Sequence, residues 1–206
     1  MPLKLLTSLC ATALIISSVL TNAQMRPQIQ PTPPPAQTFR KASDLIRKQD
    51  PLKINQSLLK QVKPDAVHIV VSLPKQRAYL MLAEQIVIDG PISSGKHGHS
   101  SPTGHMHVLE KDPNHHSSLY GDFVDNSGRI VRAGVSARID SAPSGTHFSG
   151  ATMKWFLRLT EDGVGMHIGI LPGYPASHGC IRESPEGAKL FYDHVKVGTP
   201  VDVGDY

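Results

Sequence analysis

The sequence predicts a mostly β fold, a sandwich or barrel with one or two short helices. From about Asp65 onward, short β-type runs are separated by turns rich in Gly, Pro, Asn and Asp, at the spacing typical of an antiparallel sheet. The chain has 206 residues, of which 39% are apolar and 17 are Gly, a composition within the range of globular domains. This length supports one core with an appendage and excludes two full catalytic domains.

Residues 1–23 are predicted to form a signal peptide. Lys4 provides a positive start, an apolar run follows, and a small-x-small cleavage site ends at Ala23. An uncleaved anchor is the weaker alternative, because the run is shorter than the roughly 20 apolar residues of a membrane span and is interrupted by Thr and Ser. We therefore expect export to the periplasm or cell envelope without a stable membrane span. Cleavage removes Cys10 and leaves Cys180 as the single cysteine.

Two further segments precede the main domain. Residues 24–41 are rich in Pro and Gln, which is typical of an extended linker. Residues 42–64 hold two short helix-like stretches on either side of Pro51. Residues 65–206 then form the main predicted domain. The net charge of +4 at pH 7 is spread along the chain without a basic run, so a nucleic-acid partner is not expected.

The predicted domain contains seven strand-like runs and one clear helix. The runs are VHIVVSL at 67–73, RAYLML at 77–82, QIVIDGPI at 85–92, HMHVL at 105–109, IVRAGV at 130–135, VGMHIGIL at 164–171 and VDV at 201–203. The helix begins after Ser184 as N-cap with Pro185 in its first turn, and it ends before Gly198. Ala188, Phe191 and Val195 fall on one face of it.

The chemistry concentrates around the last cysteine. In a strand over 164–171, His167 shares one face with Gly165 and Gly169. Because these neighbours lack side chains, we expect open space beside the imidazole. A hairpin-like return through the following loop is expected to bring Cys180 near it. An adjacent imidazole lowers the pKa of a thiol, so the pair suits a nucleophile with its base.

A lone cysteine in an exported protein cannot form an internal disulfide, which favours a functional thiol over a buried one packed as a hydrophobe. The amides of Gly179 and Cys180 are candidate donors to an oxyanion. Arg182 faces the same side as Cys180 in an extended chain. It is expected to bind a carboxylate or to form a structural ion pair.

Six consecutive residues around the cysteine match a known family. The string SHGCIR at 177–182, preceded by the strand carrying His167, resembles the active-site signature of the L,D-transpeptidase (YkuD-type) catalytic family. Further matching stretches are ISSGK at 92–96, SPTG at 101–104 and GTPVDV at 198–203. The resemblance covers about residues 66–204. It implies a mostly β, exported enzyme that acts on peptidoglycan stem peptides.

The resemblance also implies a role for each matching residue. Cys180 is the nucleophile and His167 the general base, while Ser177, His178 and Gly179 shape the nucleophile loop. Arg182 is expected to be a supporting or substrate-binding residue, and Ser94 of the matching ISSGK stretch is an expected substrate contact. Tyr174 is a further expected substrate contact, because it lies in the loop that faces Cys180. The interval from His167 to Cys180 is shorter than in many members. His178 is an alternative base because it lies two residues from Cys180.

The implied reaction needs no metal or other cofactor. The family forms a thioester with a stem tetrapeptide, releases the terminal D-Ala and passes the acyl group to an amine. Carbapenem β-lactams are the expected covalent inhibitors. Hydrolysis by an L,D-carboxypeptidase or endopeptidase is the first alternative, and a wall-binding module with a degenerate site is a non-enzymatic one.

A zinc-dependent wall peptidase is a third alternative, because histidines crowd the region 97–116. They are His97, His99, His105, His107, His115 and His116. No helical HExxH-type spacing accompanies them, so we expect them to border the cleft or face solvent. Trp155 and Phe156 are expected in the core or the cleft wall.

Overall fold

A computed structural model describes residues 48–206. The predicted signal peptide, the linker and most of the first helix-like stretch lie outside the described residues. Within 48–206, no helix is both long enough and apolar enough to span a membrane.

The described chain is mostly β, as predicted, with thirteen strands and two helices. The strands are β1 (Lys53–Ile54), β2 (Val67–Ser72), β3 (Arg77–Leu82), β4 (Gln85–Ser93), β5 (Gly104–His107), β6 (Glu110–Asp112), β7 (His116–Asp125), β8 (Ile130–Ser136), β9 (Thr146–Thr152), β10 (Phe156–Arg158), β11 (Gly165–Ile168), β12 (Ile181–Glu183) and β13 (Pro200–Gly204). The helices are α1 (Gln56–Leu59) and α2 (Pro185–His194).

The main sheet runs in the order β5-β13-β2-β3-β4-β12-β11-β10-β6, and β1 pairs with β4 at its side. Most neighbours are antiparallel, but β13 pairs with β2 and β11 pairs with β12 in parallel. The expected hairpin-like return between His167 and Cys180 is therefore wrong. The chain leaves β11, crosses through the 169–180 connection and re-enters the sheet in the same direction.

One apolar core holds the main sheet and α2 together. It includes fully buried side chains from seven elements: Ile69, Leu80, Ile88, Ile92, Leu157, Met166, Ile181 and Phe191. The helix begins as predicted, because Ser184 Oγ accepts a hydrogen bond from the amide of Gly187 at 3.1 Å. The core fixes β11 and β12, which carry the residues of interest.

The second helix-like stretch before the domain differs from the prediction. Its beginning, Lys53–Ile54, is a strand that pairs with β4, and the helix α1 is only one turn long. Asn55 ends the strand and caps the helix, since its side chain accepts from the amide of Leu58. The guanidinium of Arg77 holds the preceding chain by donating to the carbonyl of Asp50 at 2.6 Å. Long-range pairing thus outweighs the local helix preference.

A second, three-stranded sheet stands apart from the main one, in the order β8-β7-β9. We call residues 116–152 the flap. Its strand β8 was predicted, but β7 and β9 were not, because Gly and Ser interrupt their apolar alternation. Gly121 and Gly150 allow close approach here: a Cβ on either would lie about 2 Å from a carbonyl oxygen of the neighbouring strand.

Candidate active site

The parallel pair β11–β12 brings the predicted nucleophile and base into one cavity. His167 lies opposite Arg182 in the register, and Cys180 immediately precedes β12. Because side chains alternate along a strand, Cys180 and Arg182 share the face of His167, while Ile181 points into the core. All three polar side chains line a cavity of about 800 Å³.

The imidazole of His167 is buried and held in one orientation. Its Nδ1 donates a hydrogen bond to the carbonyl oxygen of Ile168 at 2.7 Å, which leaves Nε2 as the acceptor nitrogen. Burial lowers the pKa of His167 to about 4, and the charge of Arg182 adds to this. The ring is therefore neutral at physiological pH.

The thiol of Cys180 is half-buried, and its sulfur lies 3.9 Å from the carbonyl oxygen of Gly163. Burial raises the pKa of this thiol, although a hydrogen bond from the Gly165 amide and the charge of Arg182 oppose the rise. The expectation that the imidazole lowers the thiol pKa is corrected here. The cavity thus holds a neutral thiol and a neutral imidazole at rest, because burial disfavours both charged forms.

A network of hydrogen bonds holds the nucleophile loop. Ser177 Oγ donates to the carbonyl of Cys180 and accepts from the amide of Gly179. Ser101 Oγ donates to the carbonyl of Gly179 at 2.7 Å, and the amide of Lys96 donates to the carbonyl of Ser177 at 3.0 Å. The Gly179 amide is thus already bonded, contrary to its expected role as an oxyanion donor.

The backbone conformation explains why residue 179 is a glycine. Its φ is +124°, a conformation that L side chains rarely adopt. A side chain at this position would therefore strain the turn that presents Cys180.

Ser94 and Tyr174 do not line the cavity, in contrast to the expectation that they contact substrate. Ser94 is buried, its hydroxyl accepts from the side chain of Gln76 at 2.8 Å, and its carbonyl accepts from the amides of Ala176 and Ser177. The carbonyl of Tyr174 accepts from Ser93 Oγ at 2.8 Å. The carbonyl of Ser94 thus holds the start of the nucleophile loop, while Tyr174 is tied to β4 through Ser93.

The two glycines that flank His167 do not leave open space. A Cβ on Gly165 would lie 2.5 Å from the ring of Phe156, and a Cβ on Gly169 would lie 2.6 Å from the side chain of Arg182. These glycines therefore make room for neighbouring protein side chains rather than for a substrate. Phe156 is fully buried, as expected for a core residue.

Arg182 is half-buried over Gly169 with its guanidinium at the cavity. Burial lowers its pKa, and the nearby Cys180 opposes this. Among residues 48–206 its side chain makes no ion pair or hydrogen bond within the chain. The alternative of a structural ion pair is thus without a partner in that range, whereas a carboxylate binder needs such a free guanidinium.

The opposite walls of the cavity come from regions that sequence reasoning missed. The flap contributes residues from β7 and from the end of β9, and the turn before β11 contributes Glu161, Asp162 and Val164. Arg158 also faces the cavity, but it is paired with Glu110 at 2.5 Å. The SHGCIR string could not indicate these walls, because they are distant in the chain.

His178 lies at the mouth of the cavity. Its Nε2 is 3.2 Å from the ammonium of Lys96, and its ring stacks on Tyr120 of the flap with centroids 4.7 Å apart. Burial and the charges of Lys96, His99 and Arg182 lower the pKa of His178. In this orientation His178 contacts Lys96 and Tyr120 and is not part of the Cys180–His167 pair.

The remaining histidines are dispersed. His105 pairs with Asp202, and His115 pairs with Asp112 while stacking on Phe156. In the part of the chain that the structure describes, no group of three or more His, Cys, Asp or Glu side chains could hold a metal ion. The zinc-peptidase alternative therefore lacks a ligand set there.

The fold and cavity define a β domain that presents a half-buried thiol and a buried imidazole in one cavity. The sequence model of the L,D-transpeptidase catalytic domain, YkuD, matches residues 66–203. The chain therefore belongs to the YkuD family.

Solved structures share this fold. An L,D-transpeptidase from Mycobacterium smegmatis is 25% identical over 68% of this chain and 58% of that one, with a TM-score of 0.51. The LD transpeptidase LdtMt1, solved in complex with imipenem, is 24% identical over 68% of this chain and 59% of its own, also with a TM-score of 0.51. The chain thus aligns with less than two thirds of the length of these structures. Among curated proteins, none matches it.

Proposed function

We propose that this chain is an exported peptidoglycan L,D-transpeptidase that uses Cys180 as its nucleophile. The observation that carries the proposal is the shared cavity of Cys180, His167 and Arg182 on one face of a parallel strand pair. Because the chain belongs to the YkuD family, acyl transfer is the class of reaction that we assign to this cavity. The stem tetrapeptide is the donor, and the periplasm or cell envelope is the site of action.

Acylation begins from the neutral pair. As Cys180 Sγ attacks the carbonyl before the terminal D-Ala, Nε2 of His167 takes the thiol proton. The C–N bond then breaks, the proton passes from His167 to the leaving amine, and a thioester remains on Cys180. Hydrogen bonding of Nδ1 to Ile168 keeps the ring aligned through both transfers.

Deacylation repeats the sequence with an acceptor amine. The amine attacks the thioester carbonyl, gives its proton to Nε2 of His167, and the thiolate leaves and is reprotonated. Because the Gly179 amide is engaged by Ser177, the amide of Cys180 is the donor we assign to the developing oxyanion. The guanidinium of Arg182 binds a substrate carboxylate.

Acylation by a carbapenem tests the nucleophile. The full chain incubated with imipenem, which the solved LdtMt1 binds, should gain one covalent adduct by intact mass spectrometry. Cys180→Ala should gain none, and the matched variant Cys10→Ala should still gain one. An adduct on Cys180→Ala would refute the assignment.

Product analysis separates transfer from hydrolysis. With purified muropeptides and an acceptor amine, we expect the amide product and free D-Ala. A chain that releases D-Ala equally fast without acceptor, and forms no amide when it is supplied, is a carboxypeptidase instead.

A further inference from the structure

The flap covers the cavity but is joined to the rest of the domain by few interactions. Within the described residues, every hydrogen bond and ion pair of the flap joins two flap residues. Its base is closed by one backbone bond, from the amide of Met153 to the carbonyl of His115 at 2.8 Å. The buried flap side chains Phe123, Val124 and Val135 are not part of the main core.

One aromatic contact connects the flap to the nucleophile loop. Tyr120 of β7 stacks on His178 with an interplanar angle of 25°, and His178 directly precedes Gly179 and Cys180. The edge of His99 meets the same imidazole from the other loop at 4.9 Å. The position of the His178 ring therefore affects the position of the flap over the thiol.

The partner of His178 dictates its protonation state. An ammonium group has donors only, so Lys96 can bond to Nε2 at 3.2 Å only when that nitrogen accepts. The charged and titratable groups around the ring are Lys96 and His99 from the 95–101 loop, Arg182 from β12 and Tyr120 from the flap. No carboxylate among the described residues balances them.

We propose that Lys96 is a positioning residue that acts through His178 to hold Tyr120, and with it the flap, over the cavity. The ammonium fixes the neutral imidazole in the plane that stacks on Tyr120. When His178 takes up a proton, its Nε2 no longer accepts, and two cations face each other at hydrogen-bond distance. That repulsion exceeds the attraction of a cationic ring for the tyrosine face. The flap is therefore held at neutral pH and released in acid.

The backbone of Lys96 supports this role. Its amide donates to the carbonyl of Ser177, so the residue is anchored to the same loop that its side chain orients. The proposal extends the proposed function by controlling access to Cys180, but it depends on no step of acyl transfer. The test of this proposal accordingly uses no substrate. If the proposal is wrong, the interpretation of the carbapenem experiment does not change.

Hydrogen–deuterium exchange of the full chain measures the flap directly. Exchange of the β7 and β9 peptides is compared at about pH 8 and about pH 4, after correction for intrinsic rates. The lower pH lies well below the ordinary histidine pKa because burial and the charge of Lys96 lower the pKa of His178. In the unmodified chain we expect faster corrected exchange at the lower pH. Lys96→Met should raise flap exchange about threefold to tenfold at the higher pH, the range expected for losing an aromatic contact.

Two further variants distinguish positioning from a general structural role. Lys96→Arg keeps a cationic donor and should restore the behaviour of the unmodified chain. His178→Phe keeps the stack on Tyr120 without a titrating group, so its flap should stay protected at both pH values. Exchange of the β2 peptide is the reference for global folding.

Three outcomes would overturn the proposal. The first is flap exchange of Lys96→Met equal to that of the unmodified chain, and the second is a rise only in proportion to exchange of β2. A pH response of His178→Phe identical to that of the unmodified chain also contradicts it.

Discussion

The main sheet and the flap are both antiparallel in large part, yet they are held together differently. In the main sheet, Ile69, Leu80 and Leu157 are fully buried in a core that α2 completes. In the flap, Ile130 and Val131 of β8 are about half exposed, and the buried residues form a small separate group. A site needs reacting groups fixed to a fraction of an ångström and walls that admit a substrate. The main sheet suits the first requirement, and the flap suits the second.

This difference between the main sheet and the flap predicts which substitutions change the rate of acylation. His167→Gln, on the main sheet, should lower the rate of acylation by imipenem about a hundredfold to ten-thousandfold, because the proposed base is lost. His116→Gln is the matched change in the flap wall of the same cavity, and we expect it to alter the rate by less than about threefold. Comparable losses in both variants would contradict this difference.

The same measurement tests the protonation state of His167, the proposed base. Because burial lowers the pKa of His167 to about 4, the acid limb of the acylation rate should lie near that pH rather than near 6.5. An acid limb at the ordinary histidine pKa would show that the imidazole is solvated.

Removal of a phenyl group should also separate the regions. Phe191→Ala in the main core should lower the free energy of unfolding by about 3–5 kcal/mol, because its side chain is fully buried. Phe123→Ala removes the same group from the flap. It should accelerate flap exchange while changing global unfolding by less than half as much. Denaturant titration followed by circular dichroism gives both values, and equal losses would mean that the flap and the main sheet unfold as one unit.

A buried carboxyl in β12 gives the main sheet a pH dependence. Glu183 is fully buried, neither of its carboxyl oxygens has a hydrogen-bond partner among the described residues, and burial raises its pKa to about 8. The unfolded chain loses this proton near pH 4.5 and the folded chain only near pH 8. Stability therefore falls as pH rises between these values, by at most about 1.4 kcal/mol per pH unit.

Glu183→Gln removes that slope, because the amide stays neutral. We expect the variant to be more stable than the unmodified chain by an amount that grows from pH 5 to pH 8. Asp125→Asn in the flap is the control: hydrogen bonds from Ser127 and Arg129 lower the pKa of Asp125, so it does not titrate in this range. Parallel stability curves for Glu183→Gln and the unmodified chain would exclude a buried, protonated Glu183.

The smallest effect is expected at the flap surface. Ile139 is 82% exposed, so Ile139→Ser should change the free energy of unfolding by less than about 0.5 kcal/mol. Thermal unfolding measures this, and a larger loss would show that the residue packs against another part of the chain.

Prediction from sequence succeeded where burial leaves a regular pattern. The runs that became β2, β3 and β4 alternate or are continuously apolar, and Ser184 marks the start of α2. It failed where local signals compete with pairing. The glycines of β7 and β9 are typical of turns, yet they serve close strand contact, and Lys53–Ile54 pairs with β4 despite a helix-like surrounding.

For the site, the contiguous string around Cys180 was sufficient to identify the candidate nucleophile and to suggest His167. The string did not predict which residues surround Cys180 and His167. Sequence reasoning placed Ser94 and Tyr174 at the substrate, whereas neither lines the cavity. Lys96 and Tyr120 escaped notice because their importance depends on contacts across the chain.

The amino-acid sequence alone determined the strand-rich class, the helix after Ser184 and the chemical identity of the candidate site, since these depend on local periodicity and on residue type. Only the tertiary structure decided the parallel pairing of β11 with β12, the separation of the flap and the neutral state of the Cys180–His167 pair. These depend on burial and on which distant groups become neighbours. Strand direction and pKa are properties of that environment, and no local pattern encodes them.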